Sequence, residues 1–144
     1  MHDTFQTACP HCHTPSRFDA AMPAEALKCG ACGKRLFTGK AIELTGETFA
    51  AHLAANEIPL VVDFWADWCA PCHAIASAIR KAVKDLEPHV RFAKVDTDEE
   101  QKLAGQNAVR GLPTLIIYES GREVARHAGA MSTEQLKTWI QQHA

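Results

Sequence analysis

The sequence predicts an α/β protein with a mixed central sheet, preceded by a small cysteine-rich module at residues 1–40. Three observations predict it. Strand and helix signals alternate through residues 41–144. Within that stretch, Leu60-Val61-Val62-Asp63-Phe64-Trp65-Ala66 is apolar on both faces, as a central strand covered on both sides requires. Residues 1–40, by contrast, hold four of the six cysteines and show no sustained apolar periodicity. A chain of 144 residues, 47% hydrophobic and 22% charged, can bury about 70% of its unfolded surface, which excludes wholesale disorder. The net charge of −2 argues against a large nucleic-acid footprint. No apolar run approaches the roughly 18 residues of a membrane span, so no membrane association is expected. Met1-His2-Asp3-Thr4 lacks the basic-then-apolar start of a signal peptide, so a cytoplasmic location is expected.

The elements follow in order. Residues 41–44 read as a short strand. Phe49, Leu53 and the alanines between them predict a short helix, ended before Pro59. The run at 60–66 is the central strand. From 71 to about 86, Ile75, Ile79, Ala82 and Val83 recur at helical spacing, and Pro88 stops the helix. A strand is expected at 90–95, a helix at 99–107, and two strands at 114–118 and 123–128 around the turn Glu119-Ser120-Gly121. Ser132, with Gln135 three residues on, predicts a capping box ahead of a last helix through 141. Gly111, Gly121 and Gly129 read as positions of special backbone geometry. Residues 1–40 carry five basic and three acidic side chains, a charge of +2; the remainder carries ten and fourteen, a charge of −4. So short a first segment is expected to have no core of its own and to need a staple, with Thr38-Gly39-Lys40 as the junction.

The six cysteines form three Cys-x-x-Cys pairs. In a reducing compartment such pairs are metal ligands or redox catalysts. Cys9-x2-Cys12-x16-Cys29-x2-Cys32 has the spacing of a four-cysteine structural zinc site, one zinc per chain, in a zinc-ribbon-like module. Glycines at 30 and 33 let the second knuckle wrap tightly, Pro10 stiffens the first, and the metal would supply much of the folding free energy. His11 or His13 replacing a cysteine, two disulfides, and an iron–sulfur cluster are the alternatives.

Cys69-Ala70-Pro71-Cys72 follows the central strand and opens the next helix. Free N–H groups and the positive dipole end there favour a thiolate at Cys69. Pro71 suits a first helical turn, and Cys72 is within reach of Cys69. This arrangement serves dithiol–disulfide exchange, with Cys69 attacking and Cys72 resolving. A third metal-ligand pair is the competing reading.

The stretch Val62-Asp63-Phe64-Trp65-Ala66-Asp67-Trp68-Cys69-Ala70-Pro71-Cys72 closely resembles the thioredoxin active-site signature, and Gly111-Leu112-Pro113-Thr114-Leu115 resembles the family's second motif. The likeness covers about residues 41–144 and implies the thioredoxin fold. It implies that Asp63 is a buried proton-transfer group for Cys72 and that Lys94 is its basic partner. It implies a cis bond before Pro113, with the backbone of Leu112 pairing with substrate. Trp68, Ala70 and Pro71 would complete the substrate rim, with Trp65 packed beneath. Two departures stand out: Ala70 replaces the usual glycine, and Ser77 replaces the usual helix-kinking proline. His73 stands where the family often has lysine or arginine, and reads as a solvated first-turn residue. With its four-cysteine module the whole chain resembles the thioredoxin 2 group of bacterial thioredoxins.

That resemblance implies a monomeric protein-disulfide reductase acting on disulfide-containing proteins and recharged by NADPH through a separate thioredoxin reductase. The chain itself has no Gly-x-Gly-x-x-Gly loop, so no bound nucleotide is expected. A thiol oxidase or isomerase on the same fold is one alternative. A zinc-ribbon binding module with the second domain as scaffold is the other.

Overall fold

The structure, a computed structural model, describes residues 3–144. Strands β1 (Thr4–Ala8) and β2 (Pro15–Asp19) form an antiparallel hairpin, followed by a single 3-10 turn at Ala24–Ala26. The larger unit comprises β3 (Ile42–Glu43), α1 (Phe49–Ala55), β4 (Leu60–Trp65), α2 (Ala70–Leu86), β5 (Arg91–Asp96), α3 (Gln101–Gln106), β6 (Thr114–Glu119), β7 (Arg122–Ala128) and α4 (Thr133–His143). Its five strands run in the order β3-β5-β4-β6-β7. β3 and β4 lie parallel to β5, whereas β6 is antiparallel to β4 and β7 antiparallel to β6. The expected mixed sheet is present, and each strand and helix expected at 41–144 appears, with the numbered ends within two residues of expectation.

Alternation along the strands sorts the core into two layers. Val61, Phe92, Leu115 and Ile117 face α2 and α4, meeting Ile75, Ile79, Val83, Leu136 and Ile140. Leu60, Val62, Phe64, Val95 and Ile116 face the other way, against Phe49 and Leu103. Asp63 shares the face of Val61, so it points beneath α2. The capping box at α4 is made: Gln135 N–H donates to Ser132 Oγ at 3.1 Å, and Ser132 N–H donates to Gln135 Oε1 at 3.0 Å. Helix α2 runs as one helix past Ser77, in line with the absent proline. Gly121 and Gly129 have φ of 79° and 101°, the left-handed geometry expected of them. Gly111 does not: its φ is not positive and a Cβ there would meet nothing.

The first forty residues differ from expectation in one respect, because they do have a small core. Phe18, Leu27, Leu36 and Phe37 pack with Cys9 and Cys29, and Ile58 from the larger unit closes the cluster. These side chains come from short, unlike elements and one comes from another part of the chain, so no period in the local sequence announces them. The seam is polar around this plug. Gln6 N–H donates to Glu57 Oε1 at 2.9 Å, Glu57 N–H donates to Gln6 O at 2.8 Å, and Thr7 Oγ1 lies 2.8 Å from Asn56 Oδ1. Replacing Ile58, which is 3% exposed, removes the plug: Ile58→Ala should cost about 2–5 kcal/mol of stability in urea unfolding of the full chain. A loss below about 1 kcal/mol would show that the cluster contributes little.

Candidate active site

Strand β4 ends beneath the start of α2, and the turn between them carries the dithiol. Cys69 is the N-cap of α2; its Sγ accepts from the N–H of Cys72 at 3.3 Å. Pro71 occupies the first turn, where no N–H is needed. The two sulfurs are joined as a disulfide, with Cα atoms 5.3 Å apart. Both cysteines are buried, packed with Ala66, Trp65 and Leu112. The fixed helix start thus presents one sulfur acceptor to the free N–H groups of a 17-residue helix, the environment that stabilises a thiolate once the bond is reduced.

Behind the dithiol lies Asp63, 3% exposed, with its Oδ1 buried and without a hydrogen-bond partner. Burial pushes its carboxyl up to about 7, opposed by the charge of Lys94. Lys94 is its direct neighbour in register on β5, but no ion pair joins them among the described residues. The Lys94 Nζ sits instead 5.4 Å from the centroid of the Trp65 ring. A cavity of about 210 Å³ is lined by Asp63, Cys72, His73, Ala76 and Lys94, so Asp63 and Cys72 open onto one space. His73 is exposed, and its Nε2 donates to Asp67 O at 2.7 Å.

The bond between Leu112 and Pro113 is cis, as expected, and Leu112 packs on the dithiol. Trp68 is 71% exposed beside it, its Nε1 donating to Asp98 Oδ1 at 3.4 Å. Between Trp68 and the Val109-Arg110-Gly111-Leu112 loop lies a groove of about 420 Å³. Ala70 and Pro71 sit on the same rim, at the start of α2. Sequence reasoning missed the groove's far wall, Thr97, Ala104 and Val109, because no motif marks it.

A family model described as Thioredoxin matches residues 40–142. The chain belongs to the thioredoxin family. It is 34% identical to "Thioredoxin C-3" of Corynebacterium nephridii over 134 residues, covering 93% of this chain and 92% of that one. It is 33% identical to "Thioredoxin 1" of Nostoc sp. over 103 residues, 72% of this chain and 96% of that one. The solved structure of a mutant thioredoxin from Halobacterium salinarum superposes with a TM-score of 0.66 at 27% identity, covering 73% of this chain and 91% of that chain. The first of these alignments is too long to leave out the cysteine module; the others are about as long as the 41–144 unit. The chain is a thiol–disulfide oxidoreductase with a redox-active disulfide, Cys69–Cys72.

This thioredoxin brings its other four cysteines together at the opposite end of β4. The sulfurs of Cys9, Cys12, Cys29 and Cys32 all lie within 4.8 Å of one another. Cys9–Cys32 and Cys12–Cys29 are each 3.7 Å apart. A tetrahedron with zinc–sulfur bonds of about 2.3 Å has edges of about 3.8 Å, so the cluster fits such an ion. The two knuckles are built alike. Cys9 N–H donates to Thr14 O and Cys29 N–H to Lys34 O; His13 N–H donates to Cys9 O and Gly33 N–H to Cys29 O. His11 and Ala31 N–H groups each donate to the first sulfur of their knuckle at 3.3 Å. Hydrogen bonds from Thr14 draw the Cys12 thiol down to about 6, and the Cys32 backbone lowers that of Cys29. Burial pushes Cys9 up to about 11. Neither His11 nor His13 belongs to the sulfur cluster; His13 Nδ1 pairs with His52 Nε2 at 2.9 Å. The four cysteines could hold one metal ion.

The raised carboxyl of Asp63 has a thermodynamic signature. The folded chain binds this proton more tightly than the unfolded chain, so stability falls as pH rises between about 4 and 7. Asp63→Asn should therefore stabilise the oxidised protein by roughly 2–4 kcal/mol at pH 8 and far less at pH 4–5, read from urea titrations. A stability gap independent of pH would count against a buried, proton-loving carboxyl.

Proposed function

We propose that this thioredoxin is a cytoplasmic, monomeric protein-disulfide reductase, recharged by NADPH through a separate thioredoxin reductase. In this reading it works as two units, a zinc-binding module at 1–40 and a thioredoxin domain at 41–144. The observation that carries the reductase reading is the exposed Trp68 rim and groove beside a dithiol with a buried carboxyl behind its second sulfur. No helix among the described residues is long and apolar enough to cross a membrane.

The cycle starts with the Cys69 thiolate, held at the start of α2. It attacks one sulfur of a substrate disulfide, forming a mixed disulfide and expelling one substrate thiolate. The Trp68, Ala70 and Pro71 rim and the backbone at Leu112-Pro113 hold an extended substrate segment, as in strand addition. Asp63 takes the proton of Cys72 through the shared cavity, while Lys94 favours the charged carboxylate. The Cys72 thiolate attacks Cys69 Sγ and expels the second substrate thiolate. Substrate has gained two electrons, and the chain is left with the Cys69–Cys72 disulfide, which the reductase returns to the dithiol.

In the module, Cys9, Cys12, Cys29 and Cys32 would hold zinc, which supplies cross-linking rather than chemistry. The sulfur spacings and N–H donors support four-thiolate ligation.

Insulin-disulfide reduction with NADPH and thioredoxin reductase, with zinc measured on the same sample, tests the whole reading. Turnover with about one zinc per chain is expected. Zinc without turnover would favour the binding-module alternative. Cys72→Ser should accumulate substrates disulfide-linked to Cys69; a chain that traps none would reverse or remove the assigned order of attack. Asp63→Asn should slow turnover up to about 100-fold at pH 7, with the deficit closing near pH 9 where Cys72 ionises unaided. An equal deficit at both pH values removes Asp63 from proton transfer.

A further inference from the structure

Arg91 is the largest side chain in the fully buried core, 1% exposed, and no ion pair to it exists among the described residues. It opens β5, at the seam where the thioredoxin domain meets the module. Its Nε donates to Thr7 Oγ1 at 3.3 Å and its Nη2 to the carbonyl of Ala8 at 3.2 Å. Its guanidinium carbon lies 4.1 Å from the centroid of the Phe37 ring. All three partners belong to the module, and Ala8 is bonded to Cys9, the first of the four clustered cysteines.

Two neutral oxygens and an aromatic face do not balance a buried cation, because charge is expensive to desolvate without an opposite charge nearby. A divalent ion held by four thiolates carries a net charge of −2, and that excess is also buried on the Cys9 side. In a low-dielectric seam the two are weakly screened from each other. Glu87 is the one acid whose charge acts on Arg91 from the domain side, but it makes no ion pair with it: its Oε1 accepts from the N–H of Gly39, its Oε2 is buried without a partner, and burial pushes the carboxyl up to about 7, so its charge is only partly present at neutral pH.

We propose that Arg91 of the thioredoxin domain is the buried counter-cation of the four-cysteine metal centre and raises that centre's metal affinity. The proposal rests on the metal reading above. Arg91 is then a positioning residue: it holds the Ala8 carbonyl and sets the charge around Cys9 without ligating the ion. The metal site is thereby shared across the seam, and its affinity depends on a strand of the neighbouring domain.

The test uses the full chain. Zinc affinity is measured by competition with a chromophoric chelator for the parent, Arg91→Met, Arg91→Lys and Glu87→Gln. The parent should bind one zinc; failure there overturns the metal reading itself. Arg91→Met should bind zinc about 10–100-fold more weakly, the scale of outer-shell losses, with Arg91→Lys recovering most of it. Cobalt(II) gives a readout that packing alone would not move. Removing the positive charge raises the energy of the thiolate electrons, so the sulfur-to-cobalt charge-transfer band should shift to longer wavelength in Arg91→Met but not in Arg91→Lys. If Arg91→Met does not fold, Arg91→Gln is read in its place, since it keeps a donor for Ala8 and loses the charge. Glu87→Gln should hold zinc as tightly as the parent. A neutral variant with parental zinc affinity and an unmoved band overturns the proposal, as does a tenfold loss in Glu87→Gln, which would make Arg91 the partner of Glu87 instead.

Discussion

Strand β4 is covered on both faces, and the rest of the molecule is arranged by that burial. All of Leu60–Phe64 is buried, and only Trp65 at the C-terminal end is partly exposed. Its C-terminal end feeds α2 and so places the dithiol where helix N–H groups are free. Its N-terminal end pairs Leu60 with Arg91 and receives the cysteine module. Six residues at about 3.3 Å per step put roughly 17 Å of strand between the two ends. The four-thiol cluster and the redox disulfide therefore sit too far apart for a sulfur of one to attack a sulfur of the other within one chain. The sheet thus keeps the four cysteines that could hold an ion apart from the redox-active pair.

The same burial has a cost at the centre. Asp63 stands on the covered face with an unpartnered Oδ1, and the indole N–H of Trp65 two residues on is also buried without a partner. Polar atoms left in this state destabilise a fold, and buried ones are rare in native proteins. Lys94 bears on both residues without bonding to either atom: its ammonium sits over the Trp65 ring, and its charge favours ionised Asp63. These unpartnered atoms lie beside the redox disulfide, where local rules are most often broken for function.

Much of this was legible in the sequence, for identifiable reasons. An apolar run with one acid in it, a Cys-x-x-Cys at a strand-to-helix turn and a Ser-x-x-Gln box are local patterns, and β4, the dithiol and the cap of α4 all stand where those patterns put them. The four-cysteine spacing is local twice over, since each knuckle closes on itself. What was not legible is what the two parts do to each other. Arg91 is one of two charged residues in the strand expected at 90–95, and its partners Thr7, Ala8 and Phe37 lie more than fifty residues away. The module's core was invisible because Ile58 completes it from outside. Lys94 is the register neighbour of Asp63, but its position over the Trp65 ring is a matter of side-chain direction that a sequence does not carry.

One of the positions at which the two knuckles differ bears on how the module is seated. Both turns need a left-handed residue after the second cysteine. The second knuckle meets this with Gly33 at φ 78°, without strain, whereas the first uses His13 at φ 61°. A side chain there costs about 1 kcal/mol that glycine would not. What offsets it is the bond from His13 to His52, a residue 2% exposed in α1 and kept neutral at pH 7 because burial draws its pKa down to about 4. The first knuckle is thus fastened to the thioredoxin domain by a side chain, while the second is free to be glycine. Together with Ile58 in its core and Arg91 beneath Cys9, this makes the module a seated part of the fold, with the Cys32 side of the sulfur cluster as its outward face.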